Sequence, residues 1–295
     1  MRIWGIQAAF LLLICLTACP GWNYEKSAKR RKSLADEVFS YLDNSRAIQA
    51  AFYPRTAAKT NSPNAENLDI EVAPGVSLGA RLFYFQPDRP SLLFFHGNGE
   101  VVTDYDQIAG IFHQVGLNLF VVDYRGYGWS GGRPTFRSLY EDSFKAADYF
   151  LKKIGKGPRP FLMGRSLGSG PATLLAVKRP GDFAGLILES GFADPLLLFE
   201  RLGFVYERDK NKARELMSNE LMMKKLKLPV LFLHGEKDVL IPATNARTNY
   251  EAVSHNRKTL KILPGVGHND IMLRTQDYFQ AIDLFTREAG KGKTD

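Results

Sequence analysis

Cysteine is almost missing from this 295-residue chain, and the two that occur, Cys15 and Cys19, both sit near its start. A body without cysteine forms no internal disulfide, and no Cys/His ligand spacing is present either, so neither a metal nor a cofactor is expected. Histidine is scarce too, at five. Any imidazole chemistry must come from His96, His113, His234, His255 or His268. No stretch interleaves basic with aromatic residues. The net charge of +8 is therefore diffuse, and nucleic acid is not an expected partner. The apolar run Phe10 to Leu16 is marginal for a membrane span, which needs about 20 residues. There is no internal repeat.

What is present begins with an ordinary globular balance. Hydrophobic residues at 45% and charged residues at 24% exclude a disordered chain. Arg2, the short apolar run and the small residues of Leu16-Thr17-Ala18-Cys19 have the order of a secretory signal. Leu-Thr-Ala-Cys also resembles the lipobox of bacterial lipoproteins, in which the cysteine is lipidated and becomes the new N-terminus. That resemblance implies a signal peptide over residues 1–18, a lipid on Cys19, and a membrane-anchored protein of the cell envelope. An uncleaved N-terminal signal anchor is the alternative. Lys26 to Lys32 suits anionic lipid headgroups or a solvated linker equally well. Residues 19–66 read as a linker and an N-terminal helix, with Leu34, Val38, Phe39, Leu42, Ile48 and Phe52 at roughly helical spacing and Pro54 as the stop.

From residue 67 to 295 the pattern is that of one α/β domain. Leu68 to Val72 and Val76 to Phe85 flank Ala73-Pro74-Gly75 and read as a hairpin. Short apolar runs follow at Leu92–Phe95, Leu119–Val122, Phe161–Met163, Leu186–Leu188, Val230–Leu233 and Leu260–Leu263, separated by amphipathic stretches. Such alternation predicts a mostly parallel sheet with helices on both faces. Residues 192–227 form a longer connection, rich in Leu, Phe and Met, which reads either as core helix or as a small cap over a substrate site.

The organising stretch is Phe161-Leu162-Met163-Gly164-Arg165-Ser166-Leu167-Gly168. A G-x-S-x-G between a strand and a helix is the context of a nucleophile elbow, in which a sharp turn leaves the serine at its tip. A serine hydroxyl is a poor nucleophile and needs a base, a group that orients the base, and donors for the oxyanion. His268, on the glycine-rich loop Pro264 to Asp270 after the last strand, is the candidate base. Asp238, after the strand ending Leu231-Phe232-Leu233, is the candidate orienter, with Glu236 and Glu189 in reserve. The backbone N–H groups of Leu167 and of Asn98, in His96-Gly97-Asn98-Gly99, are the candidate oxyanion donors.

Five motifs in order, His96-Gly97-Asn98, Asp123 to Ser130, Gly164 to Gly168, His234 to Asp238 and Gly267 to Asp270, together resemble the α/β-hydrolase superfamily. Within it they are similar to the membrane-associated serine hydrolases that include protein depalmitoylases and lysolipid lipases. The resemblance implies an α/β-hydrolase fold with a small helical cap, a Ser166–Asp238–His268 triad, and a structural role for the Asp123 to Ser130 loop. It also implies a small acyl-ester or lipid-like substrate, cleaved at an ester or thioester. A peptidase with the same triad, and an idle hydrolase domain that only binds, are the competing expectations.

Overall fold

The chain's ordered architecture, seen in a computed structural model that describes residues 33–291, is built on one eight-stranded sheet. The expected signal peptide over residues 1–18, Cys19 and Lys26 to Lys32 lie outside the described residues. The strands are β1 (Glu66–Ala73), β2 (Val76–Phe83), β3 (Ser91–Phe95), β4 (Asn118–Val122), β5 (Phe161–Arg165), β6 (Gly185–Glu189), β7 (Val230–Gly235) and β8 (Lys258–Leu263). Their spatial order is β1-β2-β4-β3-β5-β6-β7-β8. β1, β2 and β4 pair antiparallel, and every pairing from β4 onward to β8 is parallel. The hairpin expected around Ala73-Pro74-Gly75 is present, with Gly75 at φ 71° supplying the left-handed turn residue.

Why the central strands are continuously apolar follows from their two buried faces. Leu93 and Phe95 of β3, Leu162 of β5, Leu186 and Leu188 of β6, and Phe232 of β7 enter one core. Their neighbours Leu92, Phe94, Phe161, Met163, Ile187, Leu231 and Leu233 enter the other. A period of two thus divides each run between two cores.

The helices are α1 (Leu34–Asp43), α2 (Ala47–Ala51), α3 (Ala109–Gln114), α4 (Phe136–Ile154), α5 (Ser169–Lys178), α6 (Pro195–Arg201), α7 (Lys210–Met217), α8 (Asn219–Met223), α9 (Thr244–Ala252) and α10 (Thr275–Gly290). α1, α4, α5 and α9 contribute to the first core, and α3 and α10 to the second. The N-terminal helical stretch is broken into two at Asn44–Arg46. There the Asn44 amide bonds to the Ser40 carbonyl (2.7 Å), and the Ser45 hydroxyl accepts from the Ala47 N–H, so side chains satisfy what the helix would have. α4 starts at Phe136. Thr135 caps it, and the Ser138 hydroxyl bonds back to the Thr135 N–H. The last helix is preceded by a 3-10 turn over Ile271–Arg274. Between β6 and β7 lie the short helices α6, α7 and α8.

Candidate active site

Ser166 follows directly on β5, at φ 49°, a left-handed conformation that costs a non-glycine residue on the order of 1–3 kcal/mol. Two close approaches explain the glycines beside it. A Cβ on Gly164 would lie 2.3 Å from the Gly168 carbonyl oxygen, and one on Gly168 would lie 2.0 Å from that of Phe95. The chain can therefore turn back over β3 only if both residues lack side chains. The Ser169 hydroxyl donates to the Ser166 carbonyl (2.7 Å), tying the turn to the first residue of α5.

The carboxyl ends of three parallel strands bring the other groups to that turn. The Ser166 hydroxyl donates to His268 Nε2 at 2.9 Å, and His268 Nδ1–H donates to Asp238 Oδ2 at 2.7 Å. All three are buried. Asp238 Oδ1 accepts from the N–H groups of Leu240 (3.0 Å) and Ile241 (2.8 Å). His234 Nε2 bonds to the Ile241 carbonyl (2.6 Å) and lies 3.2 Å from Asp238 Oδ2. Burial alone would push the Asp238 carboxyl up, but the hydrogen bonds from His234, His268 and Ile241 outweigh it and hold the group well below the usual carboxylate range. An ionised Asp238 keeps the proton of His268 on Nδ1 and so leaves Nε2 free to accept.

The remaining candidates lie elsewhere. Glu236 is exposed and accepts from the Gly265 N–H (3.0 Å). Glu189 is buried, paired with Arg165 (2.9 Å) and with the Tyr278 hydroxyl (2.6 Å). His113 packs on Phe85. His96, fully buried, bonds to the Gly97 carbonyl (2.8 Å) and to Asp123 (3.1 Å). Burial opposes its protonation, but the Asp123 carboxylate prevails and raises its pKa, so this histidine anchors the loop beneath Asn98.

Asn98 and Leu167 line the same cavity as Ser166. The Asn98 side chain is held through both its oxygen and its nitrogen. Its Oδ1 accepts from the Tyr127 hydroxyl (2.6 Å) and the Tyr53 N–H (2.9 Å), and its Nδ2 donates to the Ala51 carbonyl (3.0 Å). The side chain thus holds the backbone of Asn98 in place beside the serine. From residue type alone Tyr127 carries no role beyond the structural loop it sits in, and Arg165 carries none. Arg165 is largely buried, ion-paired with Glu100 and Glu189, and its Nη2 donates to the His268 carbonyl (2.9 Å) and to Asn269 Oδ1 (3.2 Å). A signal for it exists in the strands themselves. Arg165 and Glu189 are opposite charges at the carboxyl ends of two apolar runs, and they face each other in the β5–β6 register.

The cavity at Ser166 is about 150 Å³. α4, α6, α7 and the stretch from α2 to Tyr53 enclose it, with Phe136, Leu139, Phe199 and Met217 among its lining. Among the described residues no group of three or more His, Cys, Asp or Glu side chains is placed to hold a metal ion. No described helix is long and apolar enough to cross a membrane.

The sequence family described as serine aminopeptidase, S33, matches residues 86–205 and 212–272. Protein bem46 of Schizosaccharomyces pombe is 33% identical over 207 residues, which is 68% of this chain and 68% of that protein. Alpha/beta hydrolase domain-containing protein 17C of Homo sapiens is 31% identical over 202 residues, 67% of this chain and 58% of that protein. Among solved structures, an esterase of Pyrococcus furiosus superposes with a TM-score of 0.63 over 80% of this chain and 99% of its own, at 14% identity, which speaks for the fold. The order of strands, the serine turn and these matches agree: the chain belongs to the serine aminopeptidase S33 family of the α/β-hydrolases.

Proposed function

We propose that this serine hydrolase is an esterase, cleaving ester or thioester bonds of acyl substrates with Ser166 as nucleophile. The observation that carries the reading is the unbroken hydrogen-bonded line Asp238–His268–Ser166 ending at an apolar cavity. His268 Nε2 takes the hydroxyl proton as Ser166 Oγ bonds to the substrate carbonyl carbon. The backbone N–H groups of Asn98 and Leu167 stabilise the oxyanion, where losing one donor costs on the order of a hundredfold or more in rate. The tetrahedral intermediate collapses by breaking the bond to the leaving oxygen or sulfur, which receives the proton from His268. Water, deprotonated by the same imidazole, then releases the acid and restores the serine hydroxyl.

The family description raises a peptidase as the second reading. An aminopeptidase must pair a charged substrate amine, yet the residues lining the Ser166 cavity are uncharged, and the carboxylates of the adjoining cavity, Asp194 and Glu220, are both paired with Arg214. The esterase reading is therefore the stronger. The proposal includes a lipid on Cys19 that holds the body at a membrane of the cell envelope, supported by Leu16-Thr17-Ala18-Cys19. The test is hydrolysis of p-nitrophenyl acyl esters against aminoacyl amides by wild type and Ser166→Ala, with fluorophosphonate labelling and mass spectrometry of the native N-terminus. Ester turnover and labelling that vanish in Ser166→Ala are expected. Faster turnover of the amides, or labelling elsewhere, refutes the reading.

A further inference from the structure

We infer that the Ser166 cavity is an acyl site of limited depth, suited to chains of about six carbons rather than to long fatty acyl groups. The inference rests on the esterase reading above and adds the substrate class. A cavity of about 150 Å³ with apolar walls holds roughly a six-carbon group, the size of a benzene ring. Its inner end is built from buried side chains. Leu139 and Tyr140 belong to the long helix α4 that packs on the sheet, and both are buried. Met217, at the end of α7, is 1% exposed, and Phe199 stacks edge-on to Phe136 at 5.2 Å. The outer end is different. Tyr53, Leu202 and Leu240 line the same cavity and are 58%, 42% and 43% exposed. A chain that outgrows the inner space must lie across this rim, in contact with water on one side.

Chain-length dependence follows from burial. Each methylene moved from water into the cavity is worth about fourfold in kcat/KM, and methylenes beyond the inner space are worth far less. With the p-nitrophenol leaving group held constant and each ester kept monomeric, kcat/KM is expected to climb about fourfold per methylene added from acetate to hexanoate. It then levels or falls from octanoate to palmitate. Met217→Ala deepens the inner end and moves the break towards longer chains. Ala50→Leu, on the cavity side of α2, adds bulk to the wall and moves the break towards shorter ones, which keeps the test open if the methionine variant fails to fold. A rise that continues through palmitate, or no dependence from acetate onward, overturns the acyl-site inference while Ser166-dependent turnover leaves the esterase reading standing. If no ester in the series is turned over in a Ser166-dependent way, both fall.

Discussion

Replacing Arg165 by methionine separates charge balance from positioning in this site. The wild-type guanidinium lies between two carboxylates, with side-chain exposures of 12% for Arg165, 24% for Glu100 and 4% for Glu189. Burial disfavours its charge, but Glu100 and Glu189 more than compensate and raise its pKa. Removing one partner of a buried ion pair generally costs about 3–5 kcal/mol, because the partner charge is left uncompensated. Here two carboxylates are left, yet each keeps a donor. Glu100 retains the Tyr105 hydroxyl (2.6 Å) and the Gly97 N–H (2.9 Å), and Glu189 retains the Tyr278 hydroxyl (2.6 Å). The cost should therefore sit near the low end, about 3 kcal/mol, or roughly 6–12 °C in melting temperature for a domain of this size. The same substitution removes the bonds from Nη2 to the His268 carbonyl and Asn269, so the loop carrying His268 loses its tether. A displacement of about 1 Å there lowers kcat by up to about a hundredfold, with KM little changed. Combining Arg165→Met with Glu100→Gln and Glu189→Gln should recover much of the melting temperature without recovering kcat. Thermal denaturation and steady-state ester hydrolysis read the two effects. A melting temperature within about 1 °C of wild type, or a kcat restored together with stability in the triple variant, refutes the reasoning.

Two further outcomes follow from the same geometry. Tyr127→Phe removes the hydroxyl that donates to Asn98 Oδ1 and accepts from the Tyr53 N–H at 3.0 Å, so a stability loss of about 1–2 kcal/mol is expected from denaturant titration, with a several-fold drop in kcat. An unchanged kcat would mean that the latch serves stability alone. Asp238 has a folded-state pKa below its unfolded value, so its contribution to stability is present above the ordinary carboxylate range, near about 4, and is lost as pH falls through the folded value. The stability gap between wild type and Asp238→Asn should thus be widest near neutral pH and narrow on acidification. A gap that widens in acid contradicts the sign.

The sheet was legible because its interior strands are buried on both faces. Phe161-Leu162-Met163 and Leu231-Phe232-Leu233 show as unbroken apolar runs, and no helix-period pattern competes with them. Ser166, Asp238 and His268 were legible for a related reason, since each follows such a run within a few residues, where the strand ends of an open sheet converge. Arg165 and Tyr127 were not, because their importance lies in what they touch across long sequence separations. Arg165 reaches Glu100 and His268 by folding alone, and Tyr127 reaches Asn98 and Tyr53 in the same way. The break between α1 and α2 was hidden by apolar spacing that continues through it, while the local bonding of Asn44 and Ser45 decides the backbone.

The stretch from α2 to Ala57 shows most clearly how a segment outside the family match comes to hold the surroundings of Ser166. It precedes the matched residues, which begin at 86. It is nonetheless fastened to two loops at once. The Arg55 side chain donates to the Gly99 carbonyl (3.0 Å) and pairs with Asp104, while the Arg55 carbonyl accepts from the Gly128 N–H (2.8 Å) and the Ala57 N–H donates to the Gly128 carbonyl (3.0 Å). Just ahead of these bonds in the chain, Ala51 and Tyr53 grip the Asn98 side chain. The loop that carries Asn98 is therefore held from outside the sheet as well as from beneath, where His96 and Asp123 form its base. The hydrogen bonds of this stretch are mainly backbone-mediated, so they leave little imprint on residue type. Ala50 and Ala51 matter to the cavity chiefly by being small, and an alanine pair in a short helix carries no signal of that duty until the wall it forms is seen.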